Sequence, residues 1–158
     1  MITGLKIASV EAKRESESEV KGLDINISID GVRLEGQKVE VDFTYTATYR
    51  DGVGYLKMTG NVATQESSKM LGDIDRMWVR ESEKDKKKLP NEYAELILNA
   101  VNFACGTNGV LVVRPVNLAP PIMPSPIQIQ GDGAAGSGMG AGTTTPGGKK
   151  VAPSGRMD

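Results

Sequence analysis

The chain has 158 residues, 19 Lys and Arg against 20 Asp and Glu for a formal charge of −1, and 39% hydrophobic residues. It contains no histidine and one cysteine, which excludes imidazole acid–base chemistry, His-ligated zinc and an internal disulfide. Nineteen glycines stand against two phenylalanines, four tyrosines and one tryptophan, a composition that points to two unlike segments.

Nine of the residues from Gly131 to Asp158 are glycine and none is aromatic. Such a stretch buries too little apolar surface to offset its ordering entropy, so residues 131–158 are expected to form a disordered tail and 1–130 the folding unit. The single Cys105 favours a reducing compartment. The first ten residues show no continuous apolar run of the secretion type, and no window approaches the roughly 18 apolar residues of a membrane span. These features lead to the expectation of a cytoplasmic protein without membrane insertion.

In chain order, a strand is expected from Leu5 to about Lys13, followed by a charged segment, Glu11 to Lys21, that reads as an exposed loop or strand end. A clear period of two then begins. Leu23, Ile25, Ile27 and Ile29 alternate with polar residues, as do Val39, Val41, Phe43, Tyr45, Ala47 and Tyr49, which predicts two strands with one apolar face each. Asp51-Gly52-Val53-Gly54 tolerates positive φ and turns the chain into a further strand over Tyr55 to Ala63. The four strands suggest an antiparallel meander.

After Gln65 the period becomes helical. Met70, Leu71, Ile74, Met77 and Trp78 share one face of a helix over Ser68 to Arg80, with Ser67 or Ser68 as N-cap. A lysine-rich link, Lys84 to Lys88, leads to a second helix from Pro90. Tyr93, Leu96, Ile97, Ala100, Val101 and Ala104 are expected on its inner face, with Gly106 as its stop. Val110 to Val113 is a short apolar run. Pro115 to Gln130 holds five prolines and is expected to lie extended over the core. The fold class is α+β: a four-stranded antiparallel sheet covered by two helices.

The motifs that suggest chemistry are weak. Gly131-Asp132-Gly133-Ala134-Ala135-Gly136 matches a dinucleotide-binding spacing, but it lacks the preceding buried strand and following helix that place a pyrophosphate at a helix N-terminus. Lys84, Lys86, Lys87 and Lys88 are neutralised by Glu81, Glu83 and Asp85 and lack interleaved aromatics, which argues against nucleic acid. Cys105 reads as a small packed residue. No carboxylate pair stands at catalytic spacing, so no enzyme activity, cofactor or metal is expected. The aromatics all fall between Phe43 and Phe103, with Met58, Met70 and Met77 nearby, and thioethers suit surfaces that adapt to varied partners.

This order of elements resembles the SecB-like export chaperones. Leu89-Pro90-Asn91-Glu92-Tyr93-Ala94-Glu95 opens a helix, and Asn117-Leu118-Ala119-Pro120 follows it at a similar interval to the Asn-Leu-Ala-Pro motif of that family. The resemblance covers about Leu5 to Pro120 and implies a homo-oligomer, a dimer or a tetramer. Its activity would be the ATP-independent binding of non-native, extended polypeptide along hydrophobic grooves, in protein export or as the chaperone of a toxin–antitoxin system. Pro121, Pro124 and Pro126 replace the second long helix of the family, whose C-terminal end docks the translocation motor. The peptide-binding candidates are Phe43, Tyr45, Tyr49, Met58, Met70, Ile74 and Trp78. The competing expectation is a non-enzymatic oligomeric adaptor in which the same faces only close the assembly.

Overall fold

The computed structural model describes residues 1–80, 87–122 and 127–129, together with the backbone of 134–135 and 139–141. Four long strands form one antiparallel sheet: β1 (Ile2–Arg14), β2 (Leu23–Glu35), β3 (Lys38–Tyr49) and β4 (Gly54–Gln65). β2, β3 and β4 run as a meander, while β1 pairs with the far side of β4, giving the order β1-β4-β3-β2. The 15–22 loop therefore crosses one end of the sheet instead of making a hairpin. Hairpin registers follow the alternation in sequence, with Ile27 opposite Tyr45 and Tyr45 opposite Met58, so the apolar side chains of neighbouring strands stack on one face. At the β3–β4 turn Asp51 and Gly52 both adopt positive φ, 61° and 67°, the conformation expected of that Asp-Gly pair.

The helices cover this apolar face. α1 (Ser68–Ile74) starts at Ser67, whose hydroxyl accepts a hydrogen bond from the Met70 amide, and continues as a wider π-helical turn over Asp75–Arg80. Ile74 and Trp78 are its buried residues. The two-residue strand β5 (Lys88–Leu89) precedes α2 (Asn91–Val113). Two short strands follow: β6 (Ala134–Ala135) pairs with β5, and β7 (Met139–Ala141) pairs with Ile25–Ile27 at the β2 edge. The rest of the glycine-rich segment lies outside the described residues, as does the dinucleotide-type spacing apart from Ala134 and Ala135.

α2 departs from its expected form in two ways. It does not stop at Gly106 but runs seven residues further, taking in the apolar run Val110 to Val113. Gly106 serves close packing instead of chain reversal: a Cβ there would lie 3.1 Å from the Pro121 carbonyl oxygen, and one at Gly109 would lie 2.8 Å from Pro121 Cγ and 3.1 Å from Leu56 Cδ2. The true stop is Asn117, in the left-handed region at φ 53°. Its amide donates to the Arg114 carbonyl and that of Leu118 to the Val113 carbonyl, both at 3.2 Å, which is the paired closure of a Schellman motif.

The second departure is rotational. Tyr93, Ile97 and Val101 face inward as expected, but Leu96 is exposed and Ala100 and Ala104 only half buried. The small residues Ala94, Cys105, Gly106 and Gly109 take the inner positions with Leu98, because a helix this close to a sheet needs small side chains at the contact. The longer helix also changes the membrane expectation. Asn91–Val116 has a mean hydropathy of 1.6 over its best window and is long and apolar enough to cross a bilayer, although in this fold its inner side packs on the sheet.

The glycine pattern makes a direct prediction. Gly109→Ala should cost about 1–3 kcal/mol in urea unfolding, since the added methyl presses on Pro121 and Leu56. Gly72→Ala, in α1 with open space around the new methyl, should stabilise by about 0.5–1 kcal/mol. Equal effects at the two sites would refute the packing role of Gly109.

Candidate polypeptide-binding face

The seven candidate residues come together in space, but as core. Phe43, Tyr45, Tyr49, Met58, Ile74 and Trp78 are all buried, the most exposed being Trp78 at 5%, and Met70 packs half-buried at their margin. They form the floor beneath the helices and not an open groove. The cause is simple: two helices and the segment after α2 cover the apolar face over β3 and β4, whereas no residue of β1 is buried and Val10, opposite Met58, is 46% exposed. The Lys87 ammonium lies 5.5 Å from the centre of the Trp78 ring, a cation–π arrangement. Lys84 and Lys86 of the same link lie outside the described residues.

The cover over Tyr45 and Tyr49 is the segment after α2, hereafter the strap. It runs as non-helical chain through residues 118–122 and 127–129. Its initial part is less extended than expected, since Arg114–Val116 form a 3-10 turn. Leu118 and Pro121 are buried, and Pro121 sits against Gly109. The Tyr49 hydroxyl donates to the Ala119 carbonyl, and the Tyr45 hydroxyl to the Pro121 carbonyl at 3.3 Å. Further along, the side-chain amide of Asn99 donates to the Ile127 carbonyl at 3.0 Å while accepting from the Ile127 amide at 2.7 Å. The Glu95 carboxylate accepts from the Ile129 amide at 2.8 Å.

Burial alters the titration of the groups beneath. Loss of hydration pushes the Tyr45 phenol above its ordinary value and the Tyr49 phenol up to about 12. Tyr93 also rises to about 12, chiefly by burial and partly offset by its 2.9 Å hydrogen bond with Thr64. Cys105, fully buried in α2, is pushed up to about 12 by burial and stays a thiol, in keeping with a packing role.

On the opposite face, polar groups pair among themselves. Arg33 bridges Glu40 and Asp42, Lys38 meets Glu40 at 2.8 Å, and Tyr55 donates to Glu11 at 2.6 Å. The hydrogen bonds from Lys38 and Arg33 hold Glu40 below the usual carboxylate range. At the end of α2 a cleft of about 690 Å³ is lined by Arg14, Glu17, Glu19, Arg114 and Leu118 among others. Arg14 is committed there: its guanidinium donates to the carbonyls of Ser16, Ser18 and Asn117 at 2.8, 2.8 and 2.6 Å, tying the 15–22 loop to the helix terminus. Among the described residues no group of three His, Cys, Asp or Glu stands close enough to hold a metal ion.

Sequence reading missed the exposed apolar side chains. Phe103 is 76% exposed, Leu111 69% and Leu96 39%. With Ala100 and Thr107 they occupy positions i, i+4, i+7, i+11 and i+15 of α2, a single outward stripe. The heptad-like spacing was available in the sequence, but only the rotation of the helix shows which of its two apolar faces is left over. Comparison with protein-family models, curated proteins and solved structures yields no significant match to the chain.

The raised phenol values predict alkaline behaviour. A phenol held neutral in the fold contributes stability that is intact below about pH 10, its unfolded value, and is lost as the pH climbs through its folded value near 12. Tyrosinate absorbance should therefore stay low at pH 10.5 and appear together with loss of near-ultraviolet circular dichroism. Full ionisation of all four tyrosines in a folded protein at that pH would contradict the buried placement.

Proposed function

We propose that the protein is an ATP-independent, chaperone-like binder of non-native polypeptide that works as a cytoplasmic homo-oligomer. The observation that carries this reading is the outward stripe Leu96, Phe103 and Leu111; Val79 after α1 and Ile122 in the strap are also exposed, at 51% and 65%. Large apolar side chains displayed in a row bind other apolar chains. The resemblance of the element order and of Asn117-Leu118-Ala119-Pro120 to the SecB-like chaperones supports the same reading. The slightly acidic chain, with a pI of about 5.6, suits basic client segments. Neither an enzymatic step nor nucleic-acid binding is part of this proposal. Phe43, Tyr45, Tyr49, Met58, Met70, Ile74 and Trp78 enter it as the floor that supports the binding layer.

A second reading, an oligomeric adaptor, is favoured by the edge of β1. Its outer hydrogen-bonding side is unpaired among the described residues, and a 13-residue edge is a template for pairing with another copy. In that case the stripe closes the assembly and binds no client.

Light scattering from an aggregating, chemically unfolded client separates the two. A stoichiometric amount of the protein should suppress scattering, and the double variant Phe103→Ser/Leu111→Ser should lose most of that protection while its unfolding free energy stays within about 0.5 kcal/mol, as exposed positions allow. Unchanged client aggregation with the parent protein, together with dissociation of the oligomer in the double variant, would establish the adaptor instead.

A further inference from the structure

The strap is held in an unusual manner for a piece of core. Beyond the helix-closing bond from the Leu118 amide to Val113, the hydrogen bonds that join its described residues to β3 or α2 pair a side chain of the body with a main-chain group of the strap: the Tyr49 and Tyr45 hydroxyls donate to the Ala119 and Pro121 carbonyls, Asn99 pairs with both polar groups of Ile127, and Glu95 accepts from the Ile129 amide. Main-chain groups recur in any polypeptide, so this recognition is indifferent to the strap's own side chains. The bonded positions fall on alternate residues, 119 and 121, then 127 and 129, the period of an extended chain, with a tight turn centred on Pro121 where the Ile122 amide donates to the Pro120 carbonyl at 3.0 Å. Tyr49 meets the earlier residue and Tyr45 the later one, so the strap runs opposite in sense to β3. Gly109 leaves a hollow against which the ring of Pro121 fits, and Gly106 leaves room for the Pro121 carbonyl.

We propose that the strap is an internal ligand, and that the trough beneath it is a binding site for an extended, proline-containing apolar polypeptide segment supplied in trans. This rests on the reading given under Proposed function and deepens it by naming the site and its regulation. An occupant that displaces the strap must offer carbonyl acceptors to the Tyr45 and Tyr49 hydroxyls, both deep in the sheet face, and an amide–carbonyl pair to Asn99. A polypeptide main chain supplies all of these. Proline has no amide hydrogen to leave unpaired against the apolar wall, and its ring matches the glycine hollow. The strap's grip is partial: Ile122 is 65% exposed, and Ile127 and Ile129 are only half buried. The buried candidates Tyr45, Tyr49 and Met58 thereby become reachable when the strap leaves. Strap and incoming segment compete, so a strap closed about 99% of the time would weaken apparent binding about 100-fold.

The test uses the full chain and a fluorescent peptide of the strap's own sequence, residues 118–129. Pro121→Gly/Ile127→Gly loosens the strap and leaves the trough unaltered. This variant should bind the peptide at least about tenfold more tightly than the parent, and adding Asn99→Ala should abolish that gain. Equal binding by parent and variant would overturn the proposal. So would an exchange of straps between two copies, seen as a variant that loses self-association with no gain in peptide affinity. Should the variant fold poorly, hydrogen exchange on the parent decides. The Ile127 and Ile129 amides should exchange at least about a hundredfold faster than that of Val41 in β3, and equal protection would mark the strap as fixed core. Failure here is separable from failure of the wider reading. Client protection that is identical with loose and native straps sinks the internal ligand alone, whereas peptide binding without client protection sinks the chaperone.

Discussion

The approach of Pro121 to Gly109 determines how sheet, helix and strap meet. With only hydrogens on Gly106 and Gly109, the backbone of α2 can come close to both Pro121 and Leu56, and that proximity sets the rotation of the helix about its axis. Once the glycine side faces inward, Tyr93, Ile97 and Val101 fall against the sheet and Leu96, Phe103 and Leu111 must point outward. The same contact seats the strap over Tyr45 and Tyr49, whose hydroxyls then find carbonyl partners. A buried phenol without a partner would be destabilising by about 1–3 kcal/mol, so the strap's position and the choice of tyrosine at 45 and 49 depend on each other.

Charge plays the complementary part. Among the described residues no ionised side chain belongs to the buried core, whose polar member is Thr64, paired with Tyr93. The acids and bases stay in water, where their pairs contribute little stability but fix local geometry. Arg14 is the clearest case, since one guanidinium organises the loop after β1 and the end of α2 through three carbonyls. The molecule is thus an apolar sandwich with a polar outer sheet face and an unusually apolar outer helix face.

The proposed activity and the internal-ligand proposal use different parts of the helical layer. The exposed stripe on α2 offers apolar contact without demanding a main-chain geometry, whereas the trough under the strap recognises main chain and demands an extended one. A client could meet the stripe first and compete for the trough afterwards. Holding the second site closed with the protein's own segment keeps a deep apolar surface out of water until a competitor is present, which limits self-aggregation.

How much of this was legible beforehand differs by element. The alternation from Leu23 to Tyr49 determined two strands and their inner faces, because a period of two admits one assignment when one face is apolar. Ser67 as a cap and Asp51-Gly52 as a turn were equally readable, since each is a local conformational preference. Gly106 was not: a glycine near the end of an apolar helix has the same local signature whether it stops the helix or admits a neighbour, and Pro121 lies fifteen residues away in sequence. The aromatic and methionine candidates lie together but under cover, which sequence periodicity could not show, because it reveals that a face is apolar and not what covers it. By itself, then, the sequence determined the α+β class, the strand faces and the absence of imidazole chemistry, all properties of residue type and short-range period. Only the tertiary structure decided the place of β1 beside β4, the rotation of α2 and the seating of the strap, because each depends on volumes and hydrogen-bond partners brought together from distant parts of the chain.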